Sequence, residues 1–291
     1  MAIIELMKNN DVDTVAKFIS EMNKIGESHI GYCGNDRFEI AHSLREDLSD
    51  ITYNNSFITV YEEDELIGVL GFDADLESNS AEIWGPFIKE NKWDVVNHLW
   101  NRMVELLHDD INSIRMFPNK LNKKVLQLAE ELSFTKHSDQ TILNFNKNSI
   151  SELDEIFILE LMEEYFIEMK NLHNQSFPNS YYSGQQIINR LNEDRKVFII
   201  VNDGQLDGYI YAEAEPAYGE ASIEFFAVKE SKRGKGIGSK LLTAALNWIF
   251  TIESIKSITL CVNSSNQNAI NLYKKVGFEQ IHELCFYTKN I

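Results

Sequence analysis

Residues Ser231 to Leu242 read SKRGKGIGSKLL, with Gly234, Gly236 and Gly238 at alternate positions among Arg233, Lys235 and Lys240. Glycine takes positive φ without steric cost and leaves its backbone N–H uncovered. A helix opening just after such a loop aims its positive end at the same place. The expected product is a seat for an anion, most often a phosphate. A P-loop frame started at Gly234 puts Ser239 at the second glycine and Leu241 at the Ser/Thr, and a G-x-G-x-x-G frame from Gly236 finds Leu241 where its third glycine belongs; both fail. What fits is R-x-x-G-x-G, on Arg233, Gly236 and Gly238.

The elements needed to position that loop are written on either side of it. ASIEFFAV before it is alternating and aromatic enough to be a strand. SKLLTAALNWIFTI after it puts Leu241, Leu242, Ala245, Trp248, Ile249 and Ile252 on one helical face. A second block, CVNSSNQNAINLYKKVGFEQI, follows the strand-like SITL and carries Asn263, Asn266, Ala269, Leu272, Tyr273, Gly277 and Phe278 as N-x-x-N-x-x-A-x-x-L-Y-x-x-x-G-F. The expectation is a helix with Ala269, Leu272 and Val276 facing the core, closed by Gly277 as a left-handed cap.

These two blocks, in this order, resemble the GCN5-related N-acetyltransferase (GNAT) superfamily. The resemblance implies an α/β (α+β) fold whose sheets are mixed, mostly antiparallel and flanked by helices, with acetyl-CoA as cosubstrate. It implies that the pyrophosphate meets the amides of Gly234, Lys235, Gly236, Ile237, Gly238 and Ser239, helped by Arg233. The pantetheine arm is expected beside Phe226, Ala227 and Val228, with Asn266 reaching it from the other side. Tyr273 falls where relatives place the donor of a proton to the departing thiolate, and the Val228 N–H where the thioester carbonyl would rest. Relatives often carry a glutamate at the position of Ser222. Glu224, two residues on and on the same strand face, is the expected base here, and a water chain is the alternative.

That match covers only the second half. Shifted by 140 residues, FIKENKW at Phe87–Trp93 falls on AVKESKR at Ala227–Arg233, and Leu66 and Gly68 fall on Leu206 and Gly208. Shifted by 144, Asn119, Asn122, Leu128 and Phe134 fall on Asn263, Asn266, Leu272 and Phe278. The pattern is an internal duplication. The first copy reads WDVVNH where the second reads RGKGIG, and it has Pro86, Ala129 and Ser133 opposite Phe226, Tyr273 and Gly277. Val95 and Val96 cannot follow a loop of positive φ, and Pro86 has no N–H to offer on the strand. The expected organisation is a degenerate GNAT-like domain at 1–147 without a cofactor loop and a cofactor-binding catalytic domain at 148–291. The segment TILNF, Thr141 to Phe145, either closes the first sheet or opens the second.

Composition sets the frame for these readings. The chain has 291 residues, 44% hydrophobic and 25% charged, with a net charge of −18 that argues against nucleic acid or an anionic membrane as partner. The stretch MAIIELMKNNDVD has no signal-peptide character, and no apolar run is long enough to span a bilayer. Cys33, Cys261 and Cys285 share no CxxC spacing, and the seven histidines form no HxH or HExxH pattern; no metal site is expected. The chain reads as cytoplasmic, a monomer or homodimer. The segment from Glu152 to Gln186 lacks Lys and Arg until Lys170 and carries Tyr165, Phe177, Tyr181 and Tyr182. An acidic, aromatic rim suits a cationic small-molecule amine or a basic peptide end as acceptor. The leading expectation is an acetyl-CoA-dependent N-acetyltransferase; an acyl-CoA-binding sensor and an interaction protein are the alternatives.

Overall fold

Two runs of eleven residues, Glu65–Asp75 and Gln205–Glu215, are exposed at both ends and buried in the same order of positions between. They are matching strands in a computed structural model that describes residues 2–152, 158–178 and 180–291. The chain forms two compact units, one of Met1–Gln140 with His282–Ile291 and one of Thr141–Ile281.

In the first half of the chain the elements run β1 (Ile3–Leu6), α1 (Val12–Asn23), α2 (Arg37–His42), α3 (Tyr53–Ser56), β2 (Phe57–Glu62), β3 (Glu65–Asp75), β4 (Ser80–Ile88), α4 (Val96–Val104), β5 (Ser113–Met116), α5 (Lys123–Glu131) and β6 (Thr135–Asn146). The second continues with β7 (Leu159–Glu160), α6 (Phe166–Ser176), α7 (Gly184–Arg190), β8 (Arg195–Asn202), β9 (Gln205–Glu215), β10 (Glu220–Val228), α8 (Ile237–Ile249), β11 (Ser257–Asn263), α9 (Gln267–Val276) and β12 (Glu279–Asn290). The strand order is β1-β2-β3-β4-β5-β12 in the first unit and β7-β8-β9-β10-β11-β6 in the second. β4 with β5 and β10 with β11 are parallel, and β1/β2, β2/β3, β3/β4, β5/β12, β7/β8, β8/β9 and β9/β10 are antiparallel. Each unit is therefore a mixed, mostly antiparallel sheet with helices packed on it.

The duplication is visible at the level of register. Gly68 pairs with Val60 and Gly208 with Ile200, each followed by an irregularity before Leu66 or Leu206. Glu82 stands opposite Arg115 where Ser222 stands opposite Thr259, which are the 140 and 144 offsets read from the sequence. Asn122 and Asn266 each open a helix and accept a hydrogen bond from the backbone N–H three residues on, at 3.2 Å in both. Ser133 (φ 62°) takes the left-handed conformation that Gly277 (φ 112°) takes after α9.

The division differs from the expected 1–147 and 148–291 in which strands complete each sheet. Thr141–Asn146 of β6 belongs to the second unit, where Leu143 and Phe145 pack in its core, so TILNF sits with the second sheet. The C-terminal strand goes the other way: Tyr287 pairs with Met116 and Thr288 with Arg115, and Cys285 and Tyr287 join the first core. Each half of the sequence thus supplies a strand to the other unit. Helix α8 buries Leu241, Leu242, Ala245 and Ile249, as its periodicity predicts. Helix α9 does not follow its prediction: the buried positions are Ile270 and Tyr273, while Ala269, Leu272 and Val276 are only partly covered.

Removing His282–Ile291 takes Leu284, Cys285 and Tyr287, all under 10% exposed, out of the first unit. Their burial is worth roughly 5 kcal/mol, so the truncated chain is expected to be cut by protease within residues 1–140 under conditions that leave the full chain intact. Mass spectrometry of the fragments checks this, and equal resistance would contradict the strand assignment.

Candidate functional site

In the second unit the glycine loop starts from a pinned base. The Lys229 N–H donates to the Asp207 carbonyl at 2.9 Å, and its ammonium meets Glu168 at 3.3 Å. Lys232 meets the buried Asp207 carboxylate at 3.0 Å. Arg233 Nε donates to the Val228 carbonyl at 3.2 Å, folding the side chain back over the loop entrance. Arg233 thus closes the loop; only its terminal nitrogens are left for an anion.

Beyond Arg233 the backbone does what the glycines allow. Gly234 and Gly236 have φ of 75° and 76°, and a Cβ on either would meet nothing within 4 Å. These two glycines serve conformation and leave open space above the backbone. Gly238 corrects the expectation of a third positive φ: it is the second residue of α8. Its role is close packing, since a Cβ there would come within 3.0 Å of Leu272 and 3.1 Å of Phe226. Helix α8 has Gly236 as N-cap and no capping side chain. Its first internal donor is the Lys240 N–H to the Gly236 carbonyl, so the amides of Ile237, Gly238 and Ser239 precede the ladder. Lys235 and Lys240 have no ion pair among the described residues. Open left-handed glycines, free first-turn amides and spare lysines together suit a pyrophosphate.

The strand that feeds this loop leaves its neighbour. Strand β10 registers with β11 at Ser222↔Thr259 and runs on to Val228, held on its other edge by β9 through Phe226↔Ile210 and Val228↔Gly208. An extended ligand with amides could add to the open edge beside Phe226, Ala227 and Val228. The first unit opens at the same point, after Glu82↔Arg115, but there the gap is filled from within. The Gly31 N–H donates to the Phe117 carbonyl, the Asn119 N–H donates to the His29 carbonyl, and the Cys33 thiol lies against the Gly85 amide. Residues 90–96 in that unit contain no positive φ, and Val95 and Val96 are buried.

Around the second unit's opening stand the other expected residues. The ring of Tyr273 is buried 6.4 Å from Phe226 and 5.5 Å from Phe278 (centroid distances), and burial pushes its hydroxyl up to about 12. The hydroxyl has no hydrogen-bond partner among the described residues. The Asn266 oxygen is spent on capping α9, which leaves its NH₂ free to reach a ligand. Glu224 lies at an irregularity between Ile223 and Phe225, and its two oxygens accept separate hydroxyls, Ser222 on one and Tyr181 on the other. Sequence spacing holds no sign of the Tyr181 contact, which joins residues 43 apart. Phe225, Phe177 and Tyr182 gather near Tyr181, and His173, fully buried, is fixed between the Tyr209 hydroxyl and the Tyr182 carbonyl. Leu153–Phe157 and Asn179 of the expected acceptor segment lie outside the described residues. Beside the start of the loop an open groove of about 650 Å³ is lined by Glu168, Asn171, Leu172, Gln175 and Lys229–Ser231.

One residue escaped the sequence reading although the signal was present. Under the 140 shift Glu82 falls on Ser222, so the first unit holds a glutamate where the second has a serine. Burial, aided by Asp73 and opposed by Arg115, pushes that carboxyl to about 7.

The acetyltransferase (GNAT) family model matches residues 161–278. An N-alpha-acetyltransferase of Sulfurisphaera tokodaii is 31% identical over 111 residues, 34% of this chain and 66% of that protein. Among solved structures, a GCN5-related N-acetyltransferase from Sphaerobacter thermophilus superposes with a TM-score of 0.72 at 13% identity, over 99% of this chain and 95% of its own. A tandem GNAT protein from the clavulanic acid biosynthesis pathway gives 0.63 at 15% identity, over 100% and 98%. The loop geometry, the register of both sheets and these likenesses converge: the chain has the tandem GNAT fold, and its C-terminal part belongs to the acetyltransferase (GNAT) family.

Proposed function

We propose that the second unit transfers the acetyl group of acetyl-CoA directly to a primary amine, and that the first unit binds no cofactor. The observation that carries this reading is the pair of left-handed glycines in open space ahead of an uncapped helix, next to a strand edge that has left its neighbour. The amides of Gly234–Ser239 would hold the pyrophosphate, and the edge at Phe226–Val228 with the Asn266 amide would hold the arm. In the transfer an N–C bond forms and the C–S bond breaks. The Val228 N–H faces the developing oxyanion, Tyr273 gives its proton to the leaving thiolate, and the amine's proton passes to Glu224 or water. A protein that only bound the cofactor would have no use for an unpartnered tyrosine hydroxyl beside Phe226. The name of the Sulfurisphaera relative records transfer to nitrogen, which agrees with an amine acceptor.

Calorimetric titration is expected to give one acetyl-CoA per chain. Gly236→Val should weaken it on the order of 100-fold while costing only about 1–2 kcal/mol of stability, because a β-branched residue resists φ near 76° yet meets no neighbour there. A stoichiometry of two, or affinity within a few-fold in the variant, would overturn the assignment.

Tyr273→Phe is expected to lower kcat on the order of 100-fold with KM for acetyl-CoA nearly unchanged, since only proton delivery is removed. Thiol release across a panel of small amines provides the measurement, and an unchanged kcat would take the tyrosine out of the reaction.

A further inference from the structure

Building on that acetyl-transfer reading, we propose that Glu224 is the seat for the acceptor's ammonium group, with Ser222 and Tyr181 as the positioning residues that aim it. Three other carboxylates of the second unit are matched by cations. Glu213 is taken by Arg190, Arg195 and the Tyr211 hydroxyl, Glu168 by Lys229, and Glu160 by Lys196. Glu224 meets no cation among the described residues; it meets two hydroxyls instead.

A carboxylate offers about four lone-pair directions. Ser222 occupies one on the first oxygen and Tyr181 one on the second, so the group is fixed in rotation with acceptor capacity to spare on each oxygen. That is what an ammonium needs: a fixed anion able to take two N–H donors. The irregularity at Ile223/Phe225 displaces Glu224 from the regular ladder on β10, upstream of the open edge at Phe226–Val228. The acceptor nitrogen would then lie on the strand that carries the arm of the cosubstrate.

The walls agree with a cation. Tyr181 lies 4.9 Å from Phe225 and 4.8 Å from Tyr182, and Phe177 lies 5.2 Å from Phe225 (ring centroids). Aromatic faces attract an ammonium, and more strongly when it is partly desolvated. The face of Tyr182 is already used by Arg190 at 4.2 Å, and that guanidinium is neutralised by Glu213. Tyr181, 62% exposed, therefore remains for the ligand, backed by the buried Phe225. Burial and the Glu224 carboxylate push the Tyr181 hydroxyl well above its usual range, so it acts as a donor throughout the working pH range. The chemistry selects a primary alkylamine, which is cationic at neutral pH, over an arylamine of similar size, which is not.

The test compares the full chain with E224Q, Y181F and S222A, using benzylamine and aniline alongside the best alkylamine from a thiol-release panel. E224Q should raise KM for the alkylamine at least tenfold with KM for acetyl-CoA within twofold, and should erase the preference for benzylamine over aniline. Y181F and S222A should each raise the amine KM three- to tenfold, again without moving KM for acetyl-CoA. A fall in kcat alone in E224Q would leave Glu224 as a proton acceptor and overturn the seat; so would an unchanged preference for benzylamine. If the wild-type chain releases no thiol with any amine, the acetyl-transfer reading fails by itself. The seat is then read by equilibrium binding of benzylammonium to wild type and E224Q with coenzyme A present, where equal affinity would overturn it.

Discussion

Where a strand leaves its parallel neighbour inside a sheet, a row of backbone N–H and C=O groups loses its partners, and those groups must be satisfied by something. Both units of this chain contain that divergence at the same register, after Glu82↔Arg115 and after Ser222↔Thr259. The first unit answers it with its own backbone: Ile30 bridges to Pro118, flanked by hydrogen bonds from the Gly31 N–H to Phe117 and from the Asn119 N–H to His29. Ile30 and Cys33 are 1% exposed, so this segment is core rather than a lid. The second unit keeps the edge of β10 open beside the anion loop. A protein edge that pairs with amides can equally pair with a pantetheine arm, which carries two. One sheet geometry therefore gives a self-filled unit and a unit suited to a ligand.

The means of filling is chain length. Thirteen residues, Lys24–Asp36, connect α1 to α2, whereas seven, Phe177–Ser183, connect α6 to α7. The longer connection reaches the divergence; the shorter one ends near Glu224 and presents Tyr181. The first copy has no glycines at this place, and its Val95 and Val96 are buried instead. Residues with a structural job persist. Asn122 matches Asn266 because both cap a helix, and Gly68 matches Gly208 because both pair at the same place in a buried hairpin.

The sequence made legible whatever is local or periodic. The R-x-x-G-x-G loop, the strand before it, α8 and the Gly277 cap all follow from spacing, since backbone conformation and one buried face decide them. The duplication offsets were legible because register preserves them. The buried face of α9 was not: Tyr273 is chosen by Phe278 and Phe226, partners brought by the fold rather than by helical period. Gly238 was misread for a related reason, because a glycine kept for close approach to Leu272 and Phe226 looks the same in sequence as one kept for positive φ. The strand exchange and the filled divergence were invisible, as both depend on contacts between distant segments. The Tyr181–Glu224 contact belongs to the same class.

Charge adds a last step. On the proposed reading, a chain of net charge −18 has to build an anion seat against its own field. The basic residues before the glycines contribute little directly, because Lys229 and Lys232 are matched by Glu168 and Asp207 and Arg233 is turned toward Val228. These pairs pin the loop entrance, so that on the proposed reading Gly234 and Gly236 would need no induced ordering when an anion arrives. The attraction is left to the amides at the start of α8, helped by Lys235 and Lys240. Backbone dipoles carry no net charge that could recruit the chain's many carboxylates, and they act at short range. On the proposed reading, an acidic protein could in this way keep a phosphate seat on one loop and an anionic surface for a cationic acceptor elsewhere in the same unit, without either cancelling the other.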